Sequence, residues 1–182
     1  VEVVRVLAEL GANLETPTND GASPAYIAAW KGQVEVVRVL AGLGANVNTP
    51  NNSGATPAFI AAQQGHTEVV RLLAELGANV DTPDNAGASP AVIAAQHGHT
   101  AVVRLLAELG ANINTSANDG TTPALIAAQN GHAEVVRLLA KLGASVDTQK
   151  DGGFTPVFYA SQEGHSEMVR LLAELGANLR TP

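Results

Sequence analysis

Four histidines recur at a constant interval and are the first residues whose type and spacing suggest chemistry. They are His66, His99, His132 and His165, at steps of 33 residues. Imidazole nitrogens bind transition metals at about 2 Å. Neighbouring helical units pack about 8–10 Å apart, so one ion cannot bridge two members of the series. The spacing favours a capping and packing role in a Gly-His turn, and His97 beside His99 lacks further ligands. No metal or other cofactor is expected.

Other reactive groups also lack the pattern of a catalytic site. Glutamate precedes arginine by three residues in five places, at Glu2, Glu35, Glu68, Glu134 and Glu167. On a helix such pairs face solvent and add only a few tenths of a kcal/mol, whereas catalytic carboxylates need a cleft and distinct environments. The loop 81–87 lacks the alternating oxygen ligands and terminal glutamate of a calcium loop. With no cysteine, nucleophile elbow or phosphate loop, the sequence does not indicate an enzyme.

Charge and composition restrict the classes of partner. The chain of 182 residues has 10 basic and 17 acidic side chains, a formal net charge of −7. Nucleic acids and anionic membranes attract the opposite balance, so neither is expected as a partner. No apolar run approaches the roughly 20 residues of a membrane span. We expect a soluble protein, with an intracellular, cytoplasmic location favoured, and Val1 suggests a fragment or a processed chain.

A period of 33 residues organises the whole sequence. One glycine recurs as Gly21, Gly54, Gly87, Gly120 and Gly153. A proline follows each of these glycines by three residues, and a second glycine follows by eleven. No insertion or deletion breaks the register. Such a period is typical of a solenoid, in which each unit packs on its neighbours.

Each unit contains the start and stop signals of two helices. Serine or threonine before proline predicts a helix start, because the hydroxyl accepts from an unpaired N–H and proline suits the first turn. In the second unit this predicts a helix from Pro57 to Gln64, ended by Gly65. Apolar residues at helical spacing predict another helix from Thr67 to Leu76. A polar, turn-rich segment completes the unit.

The motifs Thr-Pro-x-x-x-Ala-Ala, Gly-His, Glu-Val-Val-Arg-Leu-Leu and Gly-Ala-Asn-Val-Asp together resemble ankyrin repeats. The resemblance covers the whole chain as a single array, with a half repeat at 1–20 and repeats at 21–53, 54–86, 87–119, 120–152 and 153–182. It implies an all-α repeat solenoid of stacked helix-turn-helix units with projecting β-hairpin-like loops. It also implies binding of a partner protein on the concave face, through the hairpin tips and first helices.

The sequence departs from the family's Thr-Pro-Leu-His motif at two adjacent positions. The leucine position holds Ala58 and its equivalents, and the histidine position holds apolar or aromatic residues such as Phe59, Leu125 and Phe158. Volume lost at one position is regained at the next, and an apolar group avoids the cost of burying a polar one. We therefore predict that Phe59 and Phe158 are not mostly exposed.

The units differ most at positions that face a ligand in ankyrin repeats. The first set, the helix-end pairs, precedes the second glycine of each unit: Trp30 and Lys31, Gln63 and Gln64, Gln96 and His97, Gln129 and Asn130, Gln162 and Glu163. The second set, the loop-tip residues, comprises Asp20, Ser53, Asp119 and Phe154. A constant frame with a varied surface is typical of a recognition surface on a rigid scaffold, although drift at exposed positions gives the same pattern.

Two functional hypotheses follow from this pattern. The leading one is a protein-binding module that uses these two sets of residues. The alternative is a structural spacer or a designed, consensus-like scaffold without a specific partner, because the units are nearly identical and rich in glutamine, asparagine and alanine. The terminal helices keep the apolar pattern of internal ones, which predicts end-to-end self-association, while Tyr159, Ser161 and Arg180 hint at a cap.

Overall fold

A computed structural model describes residues 1–179, which form one helix followed by five helix pairs. The elements are α1 (Glu2–Glu9), α2 (Pro24–Trp30), α3 (Val34–Gly42), α4 (Pro57–Gln63), α5 (Thr67–Glu75), α6 (Pro90–Gln96), α7 (Thr100–Glu108), α8 (Pro123–Gln129), α9 (Ala133–Lys141), α10 (Pro156–Gln162) and α11 (Ser166–Glu174). No strand occurs in this part of the chain, and the predicted all-α solenoid is confirmed. Arg180, named above as a hint of a cap, lies outside the described residues.

The first helix of each pair begins at a hydroxyl cap, as predicted. The Thr56 Oγ1 accepts the Phe59 N–H at 3.2 Å, and the Ser89 Oγ accepts the Val92 N–H at 3.3 Å. Proline occupies the first turn of all five first helices. The two helices whose bounds were predicted each end one residue earlier, because Gln64 and Leu76 are the C-caps of α4 and α5.

The helices form two layers, with first helices in one and second helices in the other. First helices pack on one another more closely than second helices do. Ala61, Ala62, Ala94 and Ala95 are completely buried in that layer, and their small side chains permit the close approach. A stack whose one layer is tighter curves toward that layer, so the first helices lie on its inner side.

The exchange predicted at the altered family motif is confirmed by burial. Ala58 and Phe59 are both buried, and Leu125 at the equivalent position is completely buried. Phe158 is half-buried. The apolar group at the position of the family histidine therefore fills the core of the four units in which the adjacent residue is alanine, whereas in the last unit Val157 is adjacent and Phe158 is only half-buried.

The projecting loops are hairpin-like tight turns without a strand ladder. In the loop before α4, the Asn51 N–H donates to the Ala55 carbonyl at 3.0 Å, and Gly54 turns the chain with φ +82°. One backbone bond, from the Asn52 N–H to the Asp20 carbonyl at 3.0 Å, joins this loop to the preceding one. The tips are thus stacked, but too short to form a sheet.

Two further features complete the description of the fold. Three of the five predicted glutamate–arginine pairs form, with Arg38 Nε 3.5 Å from Glu35 Oε1 as the shortest. The pairs expected at Glu2 and Glu167 do not form within residues 1–179. In the same range, no helix has both the length and the apolar character needed to cross a bilayer.

Candidate partner-binding surface

The helix-end pairs occupy the last residue and the C-cap of every first helix. Trp30 at the end of α2 is 46% exposed, and Gln63 and Gln129 are half-buried. The remaining seven residues, which are Lys31, Gln64, Gln96, His97, Asn130, Gln162 and Glu163, are exposed. All ten positions are therefore at least partly accessible to solvent, and their role in binding a partner stays a prediction.

The periodic histidines fix the backbone at these helix ends. The His99 Nε2 lies 2.9 Å from the Gln63 carbonyl oxygen of the preceding unit, and the His132 Nε2 lies 3.0 Å from that of Gln96. The same contact joins His66 to Trp30 and His165 to Gln129. Because a carbonyl only accepts, the proton of each ring must be on Nε2. Each histidine therefore holds the last carbonyl of a first helix in the preceding unit.

Glycine is required where these rings sit. A Cβ on Gly65 would lie 2.7 Å from the His99 Nδ1, and Gly65 also has φ +75°. The histidine thus packs on the preceding unit's turn. No ring hydrogen-bonds to the helix that follows it; the predicted capping and packing role is instead directed at the end of the first helix in the preceding unit. Within residues 1–179 no three potential ligands are grouped for a metal.

Two of the C-cap residues are used by their own helices. The His97 Nδ1 lies 3.0 Å from the Ile93 carbonyl oxygen, and the Asn130 Nδ2 donates to the Ile126 carbonyl at 2.9 Å. Each of these carbonyls also accepts the backbone N–H of the same C-cap residue, at 3.2 Å and 3.1 Å, so the side chain adds a second bond. A partner that contacted His97 or Asn130 would compete with them.

The loop-tip residues are also held by the next unit. The carbonyls of Asp20, Ser53 and Asp119 accept N–H groups from Asn52, Asn85 and Asp151 at 2.9–3.2 Å. Three asparagines reinforce the stack through side-chain bonds between tips: Asn52, Asn85 and Asn118 donate from Nδ2 to the carbonyls of Asn19, Asn52 and Asn85. Sequence reasoning missed these asparagines, although their 33-residue spacing could have revealed them.

At the last junction, an ion pair takes the place of the asparagine contact. The Lys150 Nζ lies 2.6 Å from the Asp119 Oδ2, and the Thr121 N–H donates to the Asp119 Oδ1 at 3.0 Å. The ammonium bond of Lys150, supported by Thr121, lowers the pKa of Asp119 to about 2. Lys150 was not predicted, because no local rule indicates that it reaches the preceding loop.

One surface pocket contains a residue from each predicted set. It encloses about 410 Å³, and Gln96, Asp119 and Lys150 line it together with Val92 and Ile126. A small apolar wall beside amide and charged groups suits an apolar side chain flanked by polar atoms. Trp30, Gln63 and Ser53 do not line this pocket.

Phe154 belongs to a separate aromatic cluster. Its ring centroid lies 4.6 Å from that of Phe158 and 6.0 Å from that of Tyr159. At the opposite end, the Thr18 hydroxyl hydrogen-bonds to Asp20 and lowers the pKa of its carboxyl. Burial raises the pKa of the nearby Tyr26 hydroxyl, and the Asp20 charge adds to this. The loop-tip set is therefore distributed along the stack.

Comparison with family models identifies the repeat. A model described as ankyrin repeats (3 copies) matches residues 43–117 and 114–182, and one described as ankyrin repeats (many copies) matches residues 1–41. None of the curated proteins compared with the chain matches it.

The ion pair in the pocket predicts an unusual titration. The carboxyl of Asp119 should titrate near pH 2 when its carbon resonance is followed by NMR, and Lys150→Met should return its pKa toward the ordinary value of about 3.9. Because the folded-state pKa lies below the unfolded one, the pair stabilises the fold above about pH 4, and this contribution is lost toward pH 2. An unchanged Asp119 pKa in Lys150→Met would show that the ion pair does not exist in solution.

Proposed function

Because the chain belongs to the ankyrin repeat family, whose members are generally non-catalytic protein-interaction modules, we propose that it binds a partner protein across its first helices and loop tips. The partner would lie on the inner side of the stack, where the first helices and the loops are adjacent. The identity of the partner is open, and the chemistry of the surface restricts what can occupy its centre.

The observation that carries the proposal is the pocket shared by Gln96 and Asp119. Its residues come from α6, α8 and three successive loops, so it exists only when the units are stacked. Val92 and Ile126 offer an apolar contact, and the Gln96 amide can both donate and accept. An apolar side chain with a neighbouring backbone amide would satisfy both kinds of group.

Rigidity of the surrounding backbone supports the same proposal. The Gln96 carbonyl is held by His132, and the Asp119 carbonyl is held by the Asp151 N–H at 3.2 Å. Binding therefore orders little backbone at these two positions. A surface that is already ordered loses less conformational entropy on association and so binds more tightly for a given contact area.

Substitution in the pocket should abolish partner binding without unfolding the chain. Gln96→Arg places a longer, charged side chain in the pocket and should lower the affinity for a captured partner by at least about tenfold. Glu108→Arg is the matched control, because Glu108 is exposed at the end of a second helix. Affinity capture from the native lysate, followed by titration with the purified partner, measures the affinity of both variants. Trp30→Ala, at the end of α2, tests whether the binding surface extends to the first complete unit.

Two results would reject the binding proposal. Equal loss of the partner in Gln96→Arg and Glu108→Arg would place binding elsewhere. Absence of any saturable partner would favour the alternative, a spacer or designed scaffold without a partner of its own.

Self-association through the ends is a second candidate, supported by exposed apolar residues on α1. Val3 is 70% exposed and Val6 is 43% exposed, whereas Val69 and Val102, equivalent to Val3 in internal units, are almost completely buried.

Sedimentation velocity over a range of concentrations should therefore detect oligomers of the unmodified chain. Val3→Glu should shift the distribution to monomer, because it places a charge in the contact. A monomer at every concentration would contradict end-to-end association.

A further inference from the structure

The turn after α8 contains the one asparagine of the sequence that glycine follows directly, Asn130. Both residues follow from the way in which a first helix ends. Gly131 has φ +74°, a left-handed conformation that suits glycine, and Asn130 is the variable C-cap residue before it. This unit therefore places a short side-chain amide next to an unhindered backbone nitrogen. The same position holds other side chains in the remaining units: Lys31, Gln64, His97 and Glu163.

An asparagine before glycine can react with its own backbone, and water is the only other reagent needed. The nitrogen of Gly131 loses its proton and attacks the Cγ atom of Asn130. The N–Cγ bond forms, the Cγ–Nδ2 bond breaks, and the amide leaves as ammonia with the proton that Gly131 gave up. Water then opens the resulting cyclic imide. Opening at Cγ yields aspartate, and opening at the backbone carbonyl yields isoaspartate, whose main chain runs through the side chain.

The folded turn holds the two reacting atoms apart. At Asn130 the backbone ψ is 5°, which turns the Gly131 nitrogen away from the asparagine Cβ, whereas ring closure needs this nitrogen on the side of Cβ. The Asn130 N–H and Nδ2 both donate to the Ile126 carbonyl, at 3.1 and 2.9 Å, and the Gly131 N–H donates to the Ala128 carbonyl at 3.2 Å. The reaction therefore requires this turn to open.

A histidine of the next unit opposes that opening. The His165 Nε2 lies 3.1 Å from the carbonyl oxygen of Gln129, the residue before Asn130. Its ring also packs on Gly131, where an added Cβ would lie 3.1 Å from the same Nε2. Rotation about the Asn130 ψ bond moves the glycine on which the ring packs. The turn therefore reaches the reactive geometry only when the histidine contact breaks.

We propose that Asn130 is a site of spontaneous deamidation and that the contact with His165 sets its rate. Folded proteins open locally at a lower cost in free energy than global unfolding. The observed rate is then the intrinsic rate of the Asn-Gly pair multiplied by the fraction of chains in which the turn is open. Asn130 is exposed, so water reaches the imide once it forms. The proposal does not depend on partner binding.

The products would alter the same turn permanently. A carboxylate cannot donate to the Ile126 carbonyl, and it places a negative charge at the C-terminus of α8, where the helix dipole disfavours one. Isoaspartate also lengthens the main chain between Gln129 and Gly131, so that His165 no longer meets both in one arrangement. Deamidation would thus loosen the junction between the units of α8 and α10 and change one member of the helix-end pairs.

Ageing of the full chain at neutral and at mildly alkaline pH, followed by peptide mass spectrometry, tests the proposal. Exchange of the amide for a hydroxyl should raise the mass at Asn130, and faster at the higher pH because the attacking nitrogen must lose its proton. Electron-transfer fragmentation distinguishes aspartate from isoaspartate. The other asparagines of the same tryptic peptide serve as references and should react more slowly: Asn112, Asn114 and Asn118.

Two histidine variants separate opening of the turn from a general loss of stability. His165→Ala removes the bond to Gln129 and should speed deamidation of Asn130 about tenfold, because the open fraction rises when the carbonyl loses its partner. His99→Ala removes the equivalent contact with Gln63, two junctions earlier, and should leave the rate within about twofold. Denaturation of both variants checks that they lose similar stability. Asn130→Gln keeps an amide but requires a larger ring, and should abolish the mass change.

An aged chain that keeps the Asn130 amide would overturn the proposal, as would faster reaction at the reference asparagines. Equal acceleration by His165→Ala and His99→Ala would also overturn it, because the reaction would then follow general unfolding rather than opening of this turn. None of these results bears on partner binding at Gln96.

Discussion

The structure depends most on one contact, the hydrogen bond from a histidine of one unit to the last first-helix carbonyl of the unit before it. The contact joins His66, His99, His132 and His165 to residues 36 positions earlier. It requires a glycine beneath the ring, since a side chain there would overlap the imidazole. It fixes the end of the first helix in the preceding unit, and the histidine is itself the N-cap residue of the second helix that follows it. The exposed side chains of the helix-end pairs are therefore presented from a backbone that the neighbouring unit holds in place.

Close packing of alanine in the first-helix layer and the loop contacts complete this frame. Ala61 and Ala94 leave almost no space between successive first helices. The larger buried side chains of these helices therefore stand at other positions, those of Phe59 and Leu125. The tips are joined by backbone and asparagine bonds at a distance from the core.

Sequence reasoning predicted the features that local rules govern. The serine and threonine caps, the glycine stops and the apolar exchange at Phe59 each follow from a few neighbouring residues. Contacts between units could not be predicted in the same way. The sequence indicates that His99 follows a glycine, but the direction of its ring depends on where the preceding helix ends in space. Lys150 and Asp119 are 31 residues apart, and only the stacking of their loops brings them together. The pocket that Gln96 and Asp119 share also depends on that stacking. The remaining helix-end and loop-tip residues were assigned to the surface from the 33-residue period alone.

The effect of His99→Ala on the free energy of unfolding, compared with that of His97→Ala, tests the central claim most directly. His99 donates to the preceding unit, whereas His97 hydrogen-bonds only to Ile93 of its own helix and its ring stacks 6.0 Å from that of His99. Chemical denaturation should show a loss of about 1–3 kcal/mol for His99→Ala, because the Gln63 carbonyl loses its partner and the ring its packing. His97→Ala should cost no more than about 0.5 kcal/mol. Equal losses in the two variants would contradict the account, because the contact between units would then contribute no more than a local surface bond.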